Sequence, residues 1–152
     1  MVNLPAENTL LVIYLNDTSG EQLIPLYAAR GLTQSLGPID AAKQMRRTIN
    51  GELINVAFDP FKKYTTSITC TDRDAPAFSK LWPGALIVVD CVTELAYRTG
   101  GTPERPVVPG SERVVGNFTY FRPRLTMRVM NNPNSMAEWQ ADNNWTLEAE
   151  EV

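Results

Sequence analysis

A chain of 152 residues and 16.9 kDa, 43% hydrophobic and 20% charged, has the length and composition of one globular domain with a single core. A formal charge of −3 and a pI near 5.0 argue against general nucleic-acid binding, which needs a cationic surface to neutralise phosphates. The longest apolar run, Ala85–Val89, is far short of the roughly 20 residues that span a bilayer, so no membrane insertion is expected. Met1–Asn8 lacks the basic and apolar regions of a signal peptide, and the mature chain is expected to begin here.

Thr9–Leu15 is rich in branched and aromatic side chains and is closed by Asn16–Gly20, which makes it a first strand. Glu21–Tyr27 is extended but carries Pro25, which cannot donate to a ladder and points to an edge. Leu32–Leu36 is a short strand ending at Gly37-Pro38, and Ile39–Gln44 leads into a hairpin over Gln44–Ala57. There Asn50 and Gly51 stand between β-favouring arms, and both tolerate the positive φ of a type I′ turn. Met45–Ile49 is polar and basic, whereas Glu52–Val56 carries Leu53, Ile54 and Val56. Two strands alone are marginal in water, so Arg46-Arg47-Thr48 is expected to project as an edge that holds a neighbour.

Phe58–Phe61 is a bend, followed by a threonine-rich strand in which Tyr64, Thr66, Ile68 and Cys70 share one face. Thr65, Ser67, Thr69 and Thr71 share the other, the pattern of a sheet with one solvated or partner-facing side. Asp72–Leu81 is a short helix candidate, ended by Trp82-Pro83-Gly84. Ala85–Val92 suits a central strand covered on both faces, extended by Glu94–Tyr97. Residues 98–112 hold three prolines and three glycines and form the longest loop, of a length usually functional, disordered or used in a contact. Val114–Phe121 is strand-like. Arg124–Met130 alternates core-type Leu125, Met127 and Val129 with Arg124, Thr126 and Arg128. Met136–Asp142 is a second short helix candidate, and Trp145–Glu151 a final alternating strand. Roughly eight to ten strands with little helix predict an all-β fold, an antiparallel β-sandwich or barrel with one or two short helices. Residues 1–152 form one domain.

The chemistry that could be read from these residues is sparse. Without histidine, histidine-based triads are impossible, and no phosphate loop, Gly-x-Ser-x-Gly or dinucleotide fingerprint occurs. Neither a catalytic residue nor a cofactor is assigned, and no enzyme is expected. Zinc needs about four ligands, which two cysteines do not supply. Cys70 and Cys91 lie in apolar strands and read as core side chains, with a disulfide as the alternative. Asp72 and Asp74 are the nearest approach to paired carboxylates and read better as caps of a turn. Asp90 lies in an apolar run, where a charge needs a partner; Arg124 or Arg128 is the candidate. Phe118, Tyr120 and Phe121 beside Arg122 and Arg124 read as core aromatics with an outward basic stripe. Arg46, Arg47, Lys62, Lys63, Arg124 and Arg128 stand against an acidic tail of Glu148, Glu150 and Glu151. These are solvated faces, or basic and acidic edges that meet between copies of the chain. With Asn50 and Gly51 at the hairpin tip, they are the candidate subunit-interface residues.

Several phrases are similar to known proteins: Tyr27-Ala-Ala-Arg-Gly-Leu-Thr-Gln34, Arg46-Arg-Thr-Ile-Asn-Gly51, Tyr64–Thr71 followed by Asp72–Ala77, and Trp82-Pro-Gly84 before the apolar strand. Together they resemble the small β-rich virion proteins of tailed bacteriophages, especially tail and baseplate-type components. The resemblance implies a structural subunit that assembles into a ring without turnover or cofactor. Its partners would be copies of itself and other virion proteins, and its location the virion, after synthesis in the host cytoplasm. A distal-tail or baseplate-type ring is favoured, with a tail-tube subunit or a capsid decoration protein as alternatives. Loop 98–112 and the termini would then be contact arms that order on assembly. A reading from a different class is a carbohydrate-binding β-sandwich module, with Trp82, Trp139 or Trp145 as a sugar-stacking platform.

Overall fold

Glycine, proline and asparagine turns cut the chain into short strands. The computed structural model describes residues 10–25, 28–77, 79–139 and 141–152. In order the strands are β1 (Val12–Leu15), β2 (Thr33–Pro38), β3 (Met45–Arg47), β4 (Leu53–Asn55), β5 (Tyr64–Asp72), β6 (Leu86–Asp90), β7 (Leu95–Arg98), β8 (Arg113–Val115), β9 (Phe118–Phe121), β10 (Arg124–Asn131), β11 (Asn134–Met136) and β12 (Asn143–Glu151). The main sheet runs β1-β6-β10-β12-β5-β2, with β11 also on β12, and its pairings are antiparallel. A three-stranded sheet β7-β9-β8 and a two-stranded sheet β3-β4 complete the set. The sheets curl into an antiparallel half-barrel, which is the all-β architecture the alternating pattern predicts.

The curl puts one face of the main sheet inside. Ile68 and Cys70 of β5, Leu125, Met127 and Val129 of β10, and Trp145, Leu147 and Ala149 of β12 are buried together. Ile13 of β1 and Ile87 and Val89 of β6 belong to the same core, joined by Leu11, Leu23, Ile24, Ala28, Ala29 and Leu81 from the connecting segments. Trp145 sits among them and donates its Nε1–H to the Ala28 carbonyl at 2.7 Å, satisfying the one polar atom of its ring. Gln34 of β2 joins the two ends of the curl. Its Oε1 accepts the Val92 amide just beyond β6 at 2.7 Å, while its Nε2 donates to Thr66 Oγ1 at 3.0 Å.

β6 and β10 continue past a bend into β7 and β9, and the Cys91 amide, donating to the Pro123 carbonyl at 3.0 Å, keeps the ribbon joined there. β6 is buried along both sides as predicted, Val88 and Asp90 facing away from Ile87 and Val89. Asp90 is paired with Arg124, its direct cross-strand neighbour, through Nε at 2.6 Å and Nη2 at 3.0 Å.

Four local expectations are corrected. The helix candidates at 72–81 and 136–142 are not helices among the described residues; Phe78 and Gln140, one within each, lie outside them. Asp72 instead ends β5, and Pro76 removes a backbone donor inside the first candidate. Helical turns occur at Asp40–Ala42, within the predicted lead-in, and at Asp59–Phe61, both 3-10. Val114–Phe121 is not one strand but the hairpin β8–β9, folded at Gly116-Asn117 with Gly116 at φ +58°. The first strand begins at Val12, and Met1–Thr9, Leu26 and Tyr27, for which the sequence predicts a polar start and extended segments, lie outside the described residues.

Replacing Gln34 by Leu keeps the volume but leaves the Val92 amide without its acceptor, while the Thr66 hydroxyl keeps its bond to the Ser35 carbonyl at 2.8 Å. Chemical denaturation should show a loss of about 1 to 3 kcal/mol; an unchanged midpoint would mean that the curl does not depend on this side chain.

Candidate functional site

The β3–β4 hairpin stands apart from the core as an arm. Among the described residues its strands pair only with each other, at Met45↔Asn55, Arg46↔Ile54 and Arg47↔Leu53. Gly51 donates its amide to the Thr48 carbonyl at 2.9 Å, and Thr48 donates to Glu52 at 2.8 Å. The turn is therefore a three-residue loop, with Ile49 and Asn50 central and Gly51 at φ +84°, in place of the predicted type I′ turn on Asn50-Gly51. A type I turn followed by a glycine bulge needs one left-handed residue, and Gly51 takes that position without strain.

The arm keeps its apolar side chains in solvent. Met45, Leu53, Ile54 and Val56 are exposed, and Ile49 at the tip is fully so. Phe58 and Phe61 stand at its base, edge to face with ring centres 5.7 Å apart, and both are exposed. Apolar side chains exposed together on one element mark an interaction site more often than isolated exposed residues do. Cross-strand register divides the arginines: Arg46 shares a face with Ile54, and Arg47 shares the other with Met45 and Leu53. Each guanidinium donates to a nearby carbonyl of the arm, Met45 O at 3.0 Å and Gly51 O at 2.8 Å respectively.

The other candidate interface residues fall into two groups. Arg124 and Glu151 are held inside the chain. Arg124 is bound to Asp90, and Glu151 receives Arg105 Nε at 2.8 Å and the Tyr64 amide at 3.0 Å. Arg105 also donates to the Lys62 carbonyl at 3.0 Å, while Pro106 and Val108 exchange backbone hydrogen bonds with Arg124 and Arg122. The second half of loop 98–112 is thus docked on its own chain rather than left as a free arm. Lys62, Arg128, Glu148 and Glu150 remain at the surface, with Lys63 half-buried and Arg128 donating to the Gly84 carbonyl at 2.8 Å.

Glu148 and Glu150 lie on the outer face of the main sheet, opposite the core, because alternation along β12 sends Leu147 and Ala149 inward. Ser35 and Gly37 of β2 and Thr65 and Ser67 of β5 lie beside them in register. These residues and the exposed Met130 line a shallow cleft of about 430 Å³.

Asp72 is a structural anchor, not half of a catalytic pair. Its carboxylate accepts the Arg30 amide at 2.8 Å, Arg30 Nη2 at 2.8 Å and the Arg73 amide at 2.8 Å. Burial pushes its pKa up, but the hydrogen bonds from Arg30 and the amides outweigh burial and hold it below the ordinary value. Burial also raises the thiols, Cys70 to about 11 and Cys91 to about 12. Both are free and buried, so each packs as a small hydrophobe. Tyr64 is pushed up to about 12, first by burial and then by its hydrogen bond to Glu104.

Among the tryptophans only Trp145 is core; Trp82 is 72% and Trp139 93% exposed. Trp82 borders a cleft of about 350 Å³ with Asn131, Asn132 and Asn134. The shielded side-chain amide of Asn132 makes no hydrogen bond within the described residues. Arg30, Gln34 and Arg105 were not singled out from sequence, since each acts on a partner about 40 or more residues away or through a backbone group. The exposed Phe58 and Phe61 follow an Asn-Gly hairpin and precede a strand, and that context was the available signal. Comparison with protein-family models, with curated proteins and with solved structures returns no match.

Because Asp72 titrates below its ordinary value, its contribution is fully present above the unfolded value near 3.8 and is lost as pH falls through the folded value. Asp72→Asn should cost about 1 to 2 kcal/mol at pH 7, the half-exposed Arg30 guanidinium being partly screened. The gap to the unaltered chain should close in acid; a gap constant down to pH 2 would show that charge is not what Asp72 supplies.

Proposed function

We propose that the chain is a structural virion protein of a tailed phage, a distal-tail or baseplate-type subunit that assembles into a ring. The observation that carries this reading is the arm: a two-stranded hairpin with apolar side chains and two arginines held in solvent beyond the core. A hairpin of that kind gains little from its own chain and gains burial from a neighbour. The phrases that resemble tail and baseplate components include this same arm. A tail-tube subunit or a capsid decoration protein would use it in the same way, against copies of itself or other virion proteins. The reading assigns no turnover and no cofactor, and locates the chain in the virion after synthesis in the host cytoplasm.

A carbohydrate-binding module is the second reading, favoured by exposed Trp82 beside the asparagine-lined cleft. An indole face offers an apolar platform to a sugar ring, and side-chain amides pair with hydroxyls.

Sizing with light scattering at micromolar concentration separates the two. The ring reading expects species larger than the 16.9 kDa chain, whereas a strictly monomeric chain that binds glycans on an array overturns it. Joint reversal by Arg46→Glu and Arg47→Glu should weaken assembly and leave Tm nearly unchanged, since both side chains are exposed. An equal loss of both would assign these arginines to folding.

A further inference from the structure

The arm has an acceptor in a second copy of the chain. We infer that the arm of one copy lies across the outer-face cleft of the next, with Arg47 between Glu148 and Glu150 and with Met45 and Leu53 against Met130. This contact rests on the assembling-subunit reading above and names the surfaces it would use.

Three observations converge on it. First, the two surfaces carry opposite charge. The ion pairs of the described residues include neither Arg46 nor Arg47, and neither Glu148 nor Glu150. The two glutamates are two residues apart on one strand and point the same way; Arg128 faces Glu150 from the neighbouring strand but gives its guanidinium to the Gly84 carbonyl, so among the described residues neither carboxylate has an ion pair. Lys43 on the cleft rim is already paired with Asp40 at 3.5 Å. Second, the two faces of the arm differ. Alternation places Glu52 on the Arg46 face, where it would repel the cleft, while the Arg47 face is a cation flanked by Met45 and Leu53, all exposed. Only that face matches a cleft that combines two carboxylates with exposed Met130. Third, the arm begins two residues beyond Lys43, yet no residue of 45–56 lines the cleft of its own chain. Arm and cleft are different patches, so the contact is heterologous: each copy gives an arm and receives one, and a closing rotation yields a ring.

The test uses the full-length chain and three variants: Arg47→Glu, the double variant Glu148→Arg with Glu150→Arg, and Arg46→Glu as the control on the opposite face. Native mass spectrometry and sizing read the concentration at half assembly, and thermal melting confirms folding. Arg47→Glu and the glutamate double variant should each raise that concentration about tenfold or more, and Arg46→Glu much less. Mixing Arg47→Glu with the glutamate double variant should restore assembly at a 1:1 ratio, because each then meets a complementary partner on both sides. Misfolded variants could not produce that rescue. If the unaltered chain assembles but the mixture does not, or if Arg46→Glu matches Arg47→Glu, this contact is wrong while the subunit reading stands. An unaltered chain that stays monomeric at every concentration removes both.

Discussion

The curled main sheet buries one face along its strands and the other face only at β6. In this protein the buried side is filled by Trp145 and the aliphatic rows of β5, β10 and β12, and it is joined by segments around Leu23, Ala28 and Leu81. Among the described residues the outer face along β2, β5 and β12 is a field of exposed and half-exposed threonine, serine and glutamate side chains. The remaining features follow from that asymmetry. Hydrophobic burial fixes the inward rows, and the outward rows are free to carry polar groups suited to a contact.

Charge has separate structural and surface uses in this chain. Asp72 with Arg30, Asp90 with Arg124, and Glu151 with Arg105 each join segments distant in sequence, with one partner largely removed from water. Breaking such a pair leaves a desolvated charge behind, so these groups fix the ends of β5, β6 and β12 in place. Arg46, Arg47, Glu148 and Glu150 are exposed or half-exposed and satisfy no such demand. The distinction matters for the acidic tail: Glu151 belongs to the fold, and the two glutamates before it are open to a partner.

Much of the architecture was legible because strand alternation is local. The inward row Leu125, Met127 and Val129, the two-faced β5 and the alternating β12 all follow from a period of two. Asp90 announced that it needed a cation, and Arg124 supplies it from the facing register position. What was misread had a local signal that tertiary context overrode, or a local signal that was passed over. Asp72 looks like a helix cap in sequence, yet Arg30 claims its carboxylate from 42 residues away. Gly116-Asn117 is a two-residue hairpin signal hidden inside an aromatic run. The turn at Asn50-Gly51 was placed correctly along the chain and one residue off in register, because Gly51 alone carries the left-handed conformation a bulged loop requires. The docking of loop 98–112 through Arg105 depends on backbone carbonyls and a distant carboxylate, which no local pattern reveals.

In the proposed assembly the arm, open in the single chain, is covered when chains associate. An exposed pair of strands with apolar side chains is a liability in isolation and an asset in an assembly. Hydrogen exchange followed by mass spectrometry, comparing dilute with concentrated protein, addresses this directly. The account predicts that amides in 45–56 exchange rapidly in dilute solution and become protected in the associated form, together with the outer-face strand around Glu148. Association that leaves the arm exchanging at its dilute rate would contradict it.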